Sequence, residues 1–397
     1  MFKKIIFTAG LAACCLAGFA QGTVSLERLA KVKANMNKFE NASSACRVLI
    51  KDAEKLMSED LVPVTEKTII AASGDKHDYV SMGPYWWPDP SKPGGLPYIR
   101  KDGQRNPELN DLDKNKLDKM AKSVIKLGYA YFFSGDEKYA EKAVEYLNVW
   151  FLDKKTKMNP NMEYGQMVPG YNDGKGRAEG VLDTYIFVEM TDCITLLSKS
   201  KAMKPKDLEG MKTWFSQYLD WMLNSDIGKD ECNASNNHGM AFDVQATAYA
   251  LFTGRQDVAD KFIKEFPEKR LFKQIEPDGS QPLELARTIA FHYTLFNLGH
   301  MLDMASLAQS TGVDLFSAAS SDGRSITKAI EFIKPYLGKP QSAFPYQQIK
   351  EWDLNQERCC WMLRRATFFQ PNREYDDLFD EYCRTKNIDM NWLLLAK

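Results

Sequence analysis

The heptapeptide YAYFFSG, residues 129–135, indicates the fold class because a glycine follows directly on an apolar helical pattern. The stretch YALFTG at 249–254 repeats this arrangement, and SLAQSTG at 306–312 ends a long helical run in the same style. A glycine at a helix C-terminus adopts left-handed backbone and turns the chain back. With a further break at 198–204, the spacing is about sixty residues, which fits one helical hairpin plus a long connection.

Helical periodicity extends along the remaining chain, whereas sustained two-residue alternation is almost absent. Repeated antiparallel hairpins that each bury one face against their neighbours form an α/α barrel or solenoid. The sequence therefore predicts an all-α protein, an α/α toroid of about six or seven hairpins with less than about one tenth strand. The predicted helices are 26–38, 42–57, 117–133, 137–150, 181–199, 205–223, 240–253, 258–266, 283–309, 326–336, 357–369 and 374–383.

Residues 1–20 have the form of a secretory signal peptide. Lys3 and Lys4 precede an apolar run at 5–16, and small residues end at Ala20. The run is too short to span a membrane. Cleavage after Ala20 leaves 21–397 as a single α/α-barrel domain, secreted and expected in the periplasm. Cys14 lies in a lipoprotein-like context, so a lipid anchor at Cys14 is the alternative that we favour less.

Composition excludes several classes of function. The net charge is -1, so the chain has no positive field for a polyanion such as nucleic acid. Four histidines and cysteines without CxxC spacing argue against a metal site, and we expect no cofactor. Of the eight cysteines, Cys14 and Cys15 lie in the leader, which leaves six. An oxidising compartment permits a disulfide, but the sequence does not determine its pairing.

The stretch SNNHG at 235–239 is the first candidate site. It precedes a helical run, and a histidine with adjacent amides at a helix N-terminus can gather donors around an anionic group. On its own, the stretch is better explained as an N-cap at Ser235 or Asn236 followed by an ordinary histidine. A second polar cluster further along the chain changes this balance, and its members are Glu284, Arg287, His292 and Tyr293.

Long connections are the second place where function is expected. The segment 74–107 contains Tyr85, Trp86 and Trp87, whose rings could stack on sugar faces or simply plug the barrel end. The glycine-rich segment 158–180 contains Gln166, and a plain irregular connection is an equally good explanation for it. The turn at 277–282 leads straight into the second cluster.

Three ordered motifs resemble the alginate lyase superfamily: NNHG at 236–239, DGSQPLELART at 278–288 and HYTLFNL at 292–298. The segments 83–90 and around Gln166 are also similar, so the resemblance covers most of 75–300. It implies an α/α toroid that cleaves uronic-acid polysaccharides, such as alginate, polymannuronate or glucuronan, by β-elimination. An anionic uronate polysaccharide or oligosaccharide is therefore the expected partner.

The resemblance also implies residue roles. Asn237, His238 and Arg287 would neutralise the uronate carboxylate, and Tyr293 would transfer the proton. Contacts with the substrate are expected from a wider set: Asn236, Gln166, Tyr85, Trp86, Trp87, His292 and Glu284. We also expect Glu284 to orient Arg287, three residues later on a helix.

The spacing of Arg287 and Tyr293 departs from the family pattern, being six residues instead of seven. On a regular helix six residues rotate a side chain by about 240°, so the two would not share a face. Either the helix begins irregularly near Arg287 or its side chain reaches round from the rim. The departure also suggests a branch with another substrate, such as glucuronan.

The chemistry explains why these residue types occur together. Removing the C5 proton of a uronate builds charge on its carboxylate, which amide, imidazole and guanidinium donors stabilise. In mannuronate and glucuronate H5 and O4 lie on one ring face, so one tyrosine can serve as base and acid. In guluronate they lie on opposite faces, so His238 would be the base.

Two other classes remain open from the sequence alone. A glycoside hydrolase on the same toroid needs two carboxylates across the cleft, and no motif marks out such a pair. A non-catalytic surface lipoprotein that binds glycans is the second alternative. The product separates elimination from hydrolysis, since only elimination leaves a C4–C5 double bond.

Overall fold

The computed structural model describes residues 22–383 and 388–397, which form sixteen α-helices and four short strands. The leader and its possible cleavage or lipidation sites lie outside these residues. In the described ranges, no helix combines the length and apolarity needed to cross a bilayer. The helices are α1 (Leu26–Ala34), α2 (Ala42–Met57), α3 (Lys114–Ser134), α4 (Glu137–Leu147), α5 (Phe187–Leu197), α6 (Pro205–Asn224), α7 (Asp226–Asn233), α8 (Asn237–Thr253), α9 (Gln256–Phe266), α10 (Phe272–Gln274), α11 (Pro282–Leu285), α12 (Ala290–Ser310), α13 (Ile326–Ile333), α14 (Trp352–Ala366), α15 (Arg373–Cys383) and α16 (Asn391–Leu394).

Helix packing follows the hairpin pattern. Contacts run in series from α2 through α3, α5, α8 and α12 to α14. Helix α8 is buried on nearly every side, as is typical of an inner helix, whereas α9 buries one face only. The architecture is the predicted α/α toroid, and strand accounts for 4% of the chain, so both expectations are confirmed.

The three glycines that suggested the hairpins have the expected backbone. Gly135 and Gly254 cap α3 and α8 at φ 76° and 77°, and Gly312 follows α12 at φ 87°. The amide of Gly135 donates to the carbonyl of Tyr131 at 2.8 Å. A side chain at these φ values would be strained, which explains glycine at each turn.

Two of the differences from prediction matter for the site. The predicted helix 283–309 is interrupted: α11 ends at Leu285 and α12 begins at Ala290. The polar segment 224–235, between the predicted helices 205–223 and 240–253, contains α7, whose N-terminus is capped by Ser225. Helix α7 was missed because it buries little apolar surface; its buried residues are Gly228 and Glu231.

The four strands lie in the two long connections, and one strand pair links these connections to each other. Strand β1 (Val80–Met82) pairs in parallel with β4 (Tyr164–Met167), and β2 (Trp86–Trp87) pairs antiparallel with β3 (Ile99–Arg100). The segments 74–107 and 158–180 are therefore hydrogen-bonded to each other. This pairing positions aromatic and polar side chains of both segments together.

A disulfide joins Cys360 on α14 to Cys383 at the end of α15, 23 residues later. Because a bridge restricts the unfolded chain, Cys360→Ala is expected to lower the free energy of unfolding by roughly 3 kcal/mol, measured by urea denaturation. Cys359→Ala is the matched control, since Cys359 is also buried but unbridged. Equal destabilisation by the two substitutions would show that the bridge itself contributes nothing.

Candidate active site

The start of α8 carries the NNHG motif in a constrained turn. The side chain of Asn236 caps the helix by accepting from the His238 amide at 3.1 Å, so His238 lies in the first turn. A Cβ at Gly239 would lie 2.0 Å from the carbonyl oxygen of Ala234 and 2.4 Å from Nη1 of Arg270. Only glycine fits here, which explains the last residue of the motif.

Asn237 is fully buried and held by Glu284. Its backbone amide donates to Oε1 of Glu284 at 2.8 Å, and its Nδ2 donates to Oε2 at 2.7 Å. Within the described residues, Oδ1 of Asn237 has no hydrogen-bond partner. Burial raises the pKa of Glu284, and the two donors of Asn237 oppose that shift. One carboxylate thus ties the first motif to the second.

His238 is fixed by a carboxylate that the sequence analysis did not identify. Its Nδ1 lies 2.7 Å from Oε1 of Glu231, a buried residue of α7. Burial alone would lower the pKa of His238, but the neighbouring Glu231 outweighs it, so the pKa is raised. Glu179 and Glu284 act on His238 in the same direction.

Arg287 lies in the break between α11 and α12. Its guanidinium makes a forked ion pair with Asp102, at 3.1 Å from Nε and 2.7 Å from Nη2. The same guanidinium covers the ring of Tyr293, 3.7 Å from its centroid. The irregular start of the helix therefore allows Arg287 and Tyr293 to contact each other although they are six residues apart. The expected orientation of Arg287 by the Glu284 side chain is not found: Glu284 bonds Asn237, and Asp102 orients Arg287.

Tyr293, near the start of α12, meets a hydroxyl from the segment 74–107. The Tyr293 and Tyr85 hydroxyl oxygens are 3.0 Å apart. Burial and then Tyr85 raise the pKa of Tyr293, while the Arg287 cation opposes them. Tyr293 is thus a phenol at neutral pH, with a cation on its ring face that favours the phenolate.

Gln166 and Trp86 meet around Arg177. Nε of Arg177 donates to the backbone carbonyl oxygen of Gln166, and Nη2 donates to its side-chain Oε1, both at 3.1 Å. The Arg177 guanidinium also lies 5.7 Å from the Trp86 ring centroid and bonds Glu179 at 2.8 Å. Gln166 itself has left-handed backbone, φ 49°, and donates to Asp183 at 3.0 Å. The side chain of Gln166 is therefore already engaged within the protein.

Two further residues of the predicted substrate-contact set have protein partners. Nδ1 of His292 lies 2.6 Å from Nη1 of Arg358, and burial followed by that cation lowers the pKa of His292 to about 4. Trp87 donates from Nε1 to the carbonyl oxygen of Gln104 at 2.8 Å. The structure thus connects His292 to α14, while Trp87 stays within its own segment.

Electrostatic coupling joins these groups into one site. Glu284 is influenced by both Arg287 and His238, and Glu231 by both His238 and Arg177. The arrangement combines the Tyr293 and Tyr85 phenols with amide, imidazole and guanidinium groups. Such a set can neutralise a carboxylate while a proton moves at the neighbouring carbon.

Glu231, Asp102 and Arg177 are the site residues that sequence reasoning did not select. Arg177 lies in the glycine-rich segment already singled out, so its charge was a usable signal. Asp102 is a lone acid in a polar loop, and nothing in the sequence around it indicated a role in the site. Glu231 lies seven residues before His238 but on a separate helix, so its position beside the imidazole cannot be inferred without knowing how α7 packs.

A cavity of about 640 Å³ lies elsewhere in the toroid, lined by the described N-terminal residues 22–25 and the ends of α12 and α14. Glu189, Asp303 and Arg365 are among its charged groups. None of the predicted site residues lines it. Because Tyr293 is at the start of α12 and this cavity is at its end, the two are separate.

Comparison with known proteins agrees with this geometry. The sequence model described as alginate lyase matches residues 63–343. The solved structure of an alginate lyase from Bacteroides ovatus is 58% identical, with a TM-score of 0.92, covering 94% of this chain and 98% of that one. A search of curated proteins returns no match.

Two more distant structures share the fold. An alginate lyase from Sphingomonas species A1 is 16% identical with a TM-score of 0.52, covering 80% of this chain and 86% of that one. A variant of alginate lyase A1-III complexed with tetrasaccharide is 15% identical with a TM-score of 0.53. The match covers 82% of this chain and 88% of that one. At this identity the likeness concerns the toroid alone. The family match and the 58% identical structure decide the assignment: this chain belongs to the alginate lyase family and is a polysaccharide lyase of uronic-acid polymers.

Proposed function

We propose that this lyase cleaves its polymer by β-elimination with Tyr293 as the proton-transfer residue. The observation that carries the proposal is the position of Arg287, whose guanidinium lies 3.7 Å from the centroid of the Tyr293 ring. A cation on that face stabilises the phenolate that abstracts H5. The same hydroxyl, once protonated, can donate to the departing O4.

Neutralisation of the uronate carboxylate is assigned to the start of α8 and to Arg287. The partial positive charge at the N-terminus of α8 favours an anion. The amides of Asn237 and His238 are themselves bonded to Glu284 and Asn236. Nε2 of His238 remains available, because Nδ1 is engaged by Glu231. Asn237 is fully buried and bonded to Glu284, so we assign it the role of holding this turn in place.

Aromatic rings of the segment 74–107 are proposed to contact the sugar chain. Tyr85 reaches the Tyr293 hydroxyl, and Trp86 lies beside Arg177 and Tyr171. Apolar ring faces suit the C–H faces of pyranoses, and Arg177 suits the carboxylate that every uronate carries. The candidate polymers are alginate or polymannuronate and glucuronan, with guluronate requiring a different base.

Incubation of purified protein with polymannuronate, polyguluronate, glucuronan and glycosaminoglycans tests the function. Elimination produces a C4–C5 double bond that absorbs in the ultraviolet, whereas hydrolysis produces only reducing ends. We expect absorbance to rise on at least one uronate polymer. Reducing ends without absorbance would instead identify a hydrolase.

Activity is expected to survive chelation, because amide, imidazole and guanidinium groups can supply the charge stabilisation that a Lewis acid would otherwise provide. The measurement is the elimination rate after prolonged dialysis against EDTA, compared with a mock-dialysed sample. We expect a loss of less than about twofold. Abolition by the chelator with recovery on adding one divalent ion would contradict the metal-free scheme.

We also propose that the protein is exported to the periplasm and that cleavage after Ala20 yields a chain of residues 21–397. The basic start and apolar run of the first twenty residues support this. N-terminal sequencing of the exported protein tests the cleavage site. Recovery of a lipid-modified Cys14 would show an anchored protein instead.

A further inference from the structure

Arg358 is a half-buried arginine close to the proposed proton-transfer residue. It lies in the second turn of α14, and its Nη1 donates to Nδ1 of His292 at 2.6 Å and to Oδ1 of Asn355 at 3.0 Å. His292 directly precedes Tyr293, and the centroids of those two rings are 5.2 Å apart. A single imidazole ring therefore separates the Arg358 guanidinium from Tyr293.

Neutral groups hold Arg358 in place, in contrast to the other arginines of the site. Arg177 and Arg287 each form an ion pair with a carboxylate, at 2.8 Å and 2.7 Å. In the described residues, no carboxylate lies within ion-pair distance of Arg358, and Glu351 and Glu357 act on it only from further away. The protein therefore holds this cation at a fixed position without neutralising it.

The N–H groups that remain free on Arg358 are those that suit a carboxylate. Nε and Nη2 have no hydrogen-bond partner in the part of the chain that the structure describes, and neither atom is enclosed away from solvent. Arg287 binds the Asp102 carboxylate with the same two atoms, Nε and Nη2. This side of a guanidinium presents two parallel N–H groups to the two oxygens of a carboxylate. Arg358 thus has a vacant fork.

His292 stays neutral beside this cation. Its Nδ1 accepts from Arg358, which places the ring proton on Nε2. Burial and then the Arg358 charge lower the pKa of His292 to about 4, so the ring remains an acceptor at neutral pH. The orientation of the fork is therefore fixed by an imidazole on α12 and an amide on α14.

We propose that Arg358 binds the carboxylate of a uronate residue other than the one that loses H5, and that His292 and Asn355 position its guanidinium for this contact. This assignment, which rests on the proposed function, adds a second anion-binding position to the site. Every residue of a polyuronate carries a carboxylate, so a polymer that crosses Tyr293 presents further carboxylates on either side of the reacting sugar. Arg287 and the start of α8 are already assigned to the carboxylate of the reacting sugar.

Arg358→Gln is expected to raise KM on the best uronate polymer by about tenfold or more while changing kcat by less than about threefold. A contact to a sugar that does not react is equally strong in the ground state and in the transition state. KM should also depend less steeply on salt concentration, because one charge contact that salt screens has been removed. A purely structural role for Arg358 would leave this salt dependence unchanged.

Two further variants separate the charge from its geometry. Arg358→Lys keeps the cation but cannot form the forked contact, so its KM should lie between those of the wild-type protein and Arg358→Gln. It replaces Arg358→Gln if that variant does not fold. Arg373→Gln is the matched control, because it removes one positive charge from an exposed side chain on α15. Its KM and salt dependence should equal those of the wild-type protein.

Calorimetric titration with hexamers of mannuronate and of glucuronate, in the Tyr293→Phe background, measures the same contact without turnover. Adding Arg358→Gln should raise Kd by about tenfold or more. A Kd within about twofold of the parent value, or a fall in kcat that exceeds the rise in KM, overturns the assignment of Arg358 and leaves the proposed function standing. A wild-type protein that eliminates no uronate polymer contradicts the proposed function, whereas the titration still decides the role of Arg358.

Discussion

Tyr293→Phe is expected to slow elimination by at least about a hundredfold while leaving the fold intact, because it removes only the atom that transfers the proton. The ring is buried and keeps its packing, and its hydroxyl is hydrogen-bonded only to Tyr85 in the described residues. Steady-state rates from ultraviolet absorbance, with circular dichroism as the folding check, provide the measurement. A folded variant that retains more than half of the wild-type rate would exclude Tyr293 as the acid–base group.

Tyr85→Phe is the matched control for this experiment. It removes the other hydroxyl of the same 3.0 Å pair without removing the proposed base. Since Tyr85 is one cause of the raised pKa of Tyr293, its loss should shift the alkaline rise of kcat/KM towards lower pH. In the wild-type protein burial and Tyr85 keep Tyr293 protonated at neutral pH, so kcat/KM should increase with pH over the alkaline range while the protein stays folded.

Arg287→Ala is the second substitution with a large expected effect, a loss of about a hundredfold or more in kcat/KM. The guanidinium covers the Tyr293 ring and favours its phenolate, and it also pairs with Asp102 from the segment 74–107. Removing Arg287 therefore raises the pKa of Tyr293 further and leaves the Asp102 carboxylate with donors from Thr288 and Arg100. The measurement is the pH profile of kcat/KM on the best polymer.

Two variants separate the contributions of Arg287. Arg287→Lys keeps the charge but cannot form the forked pair with Asp102, so it should recover part of the rate. Asp102→Asn keeps the guanidinium but removes its anionic partner, and it should weaken the hold on the segment 74–107. If Arg287→Ala behaves like Asp102→Asn in both rate and pH profile, Arg287 acts on the loop and not on Tyr293.

The carboxylates of the site are bonded to the groups that are proposed to act on the substrate. Three carboxylates each hold one donor of the site: Glu231 bonds His238, Glu284 bonds Asn237 and Asp102 bonds Arg287. Asp102 also accepts from Arg100 and Thr288. Each of the first three pairs joins two elements that are distant in the chain or separated by a turn. The carboxylates therefore position the donors and do not themselves supply the two-carboxylate pair that a glycosidase requires.

The sequence by itself determined the helical fold and indicated most residues of the proposed site. Apolar periodicity depends on neighbours three and four residues away, so it can be read locally, and the boundaries of α2 were predicted correctly as 42–57. The glycines at 135, 254 and 312 are also local, because only backbone geometry decides them. The motifs at 236–239 and 278–298 contain Asn237, His238, Arg287 and Tyr293.

Only the tertiary structure decided how these residues are held. The break between α11 and α12 that places Arg287 over Tyr293 is stabilised by Asp102, 185 residues earlier in the chain, and no local pattern encodes such a contact. Helix α7 has weak apolar periodicity and depends on packing against α6 and α8, so the carboxylate of Glu231 became visible only with the fold. Glu284 was expected beside Arg287 on helical spacing, but the turn after Leu285 directs it to Asn237. Propensity and spacing act over a few residues, whereas the partner of a buried charge is chosen by whichever distant group the completed toroid brings within hydrogen-bond distance.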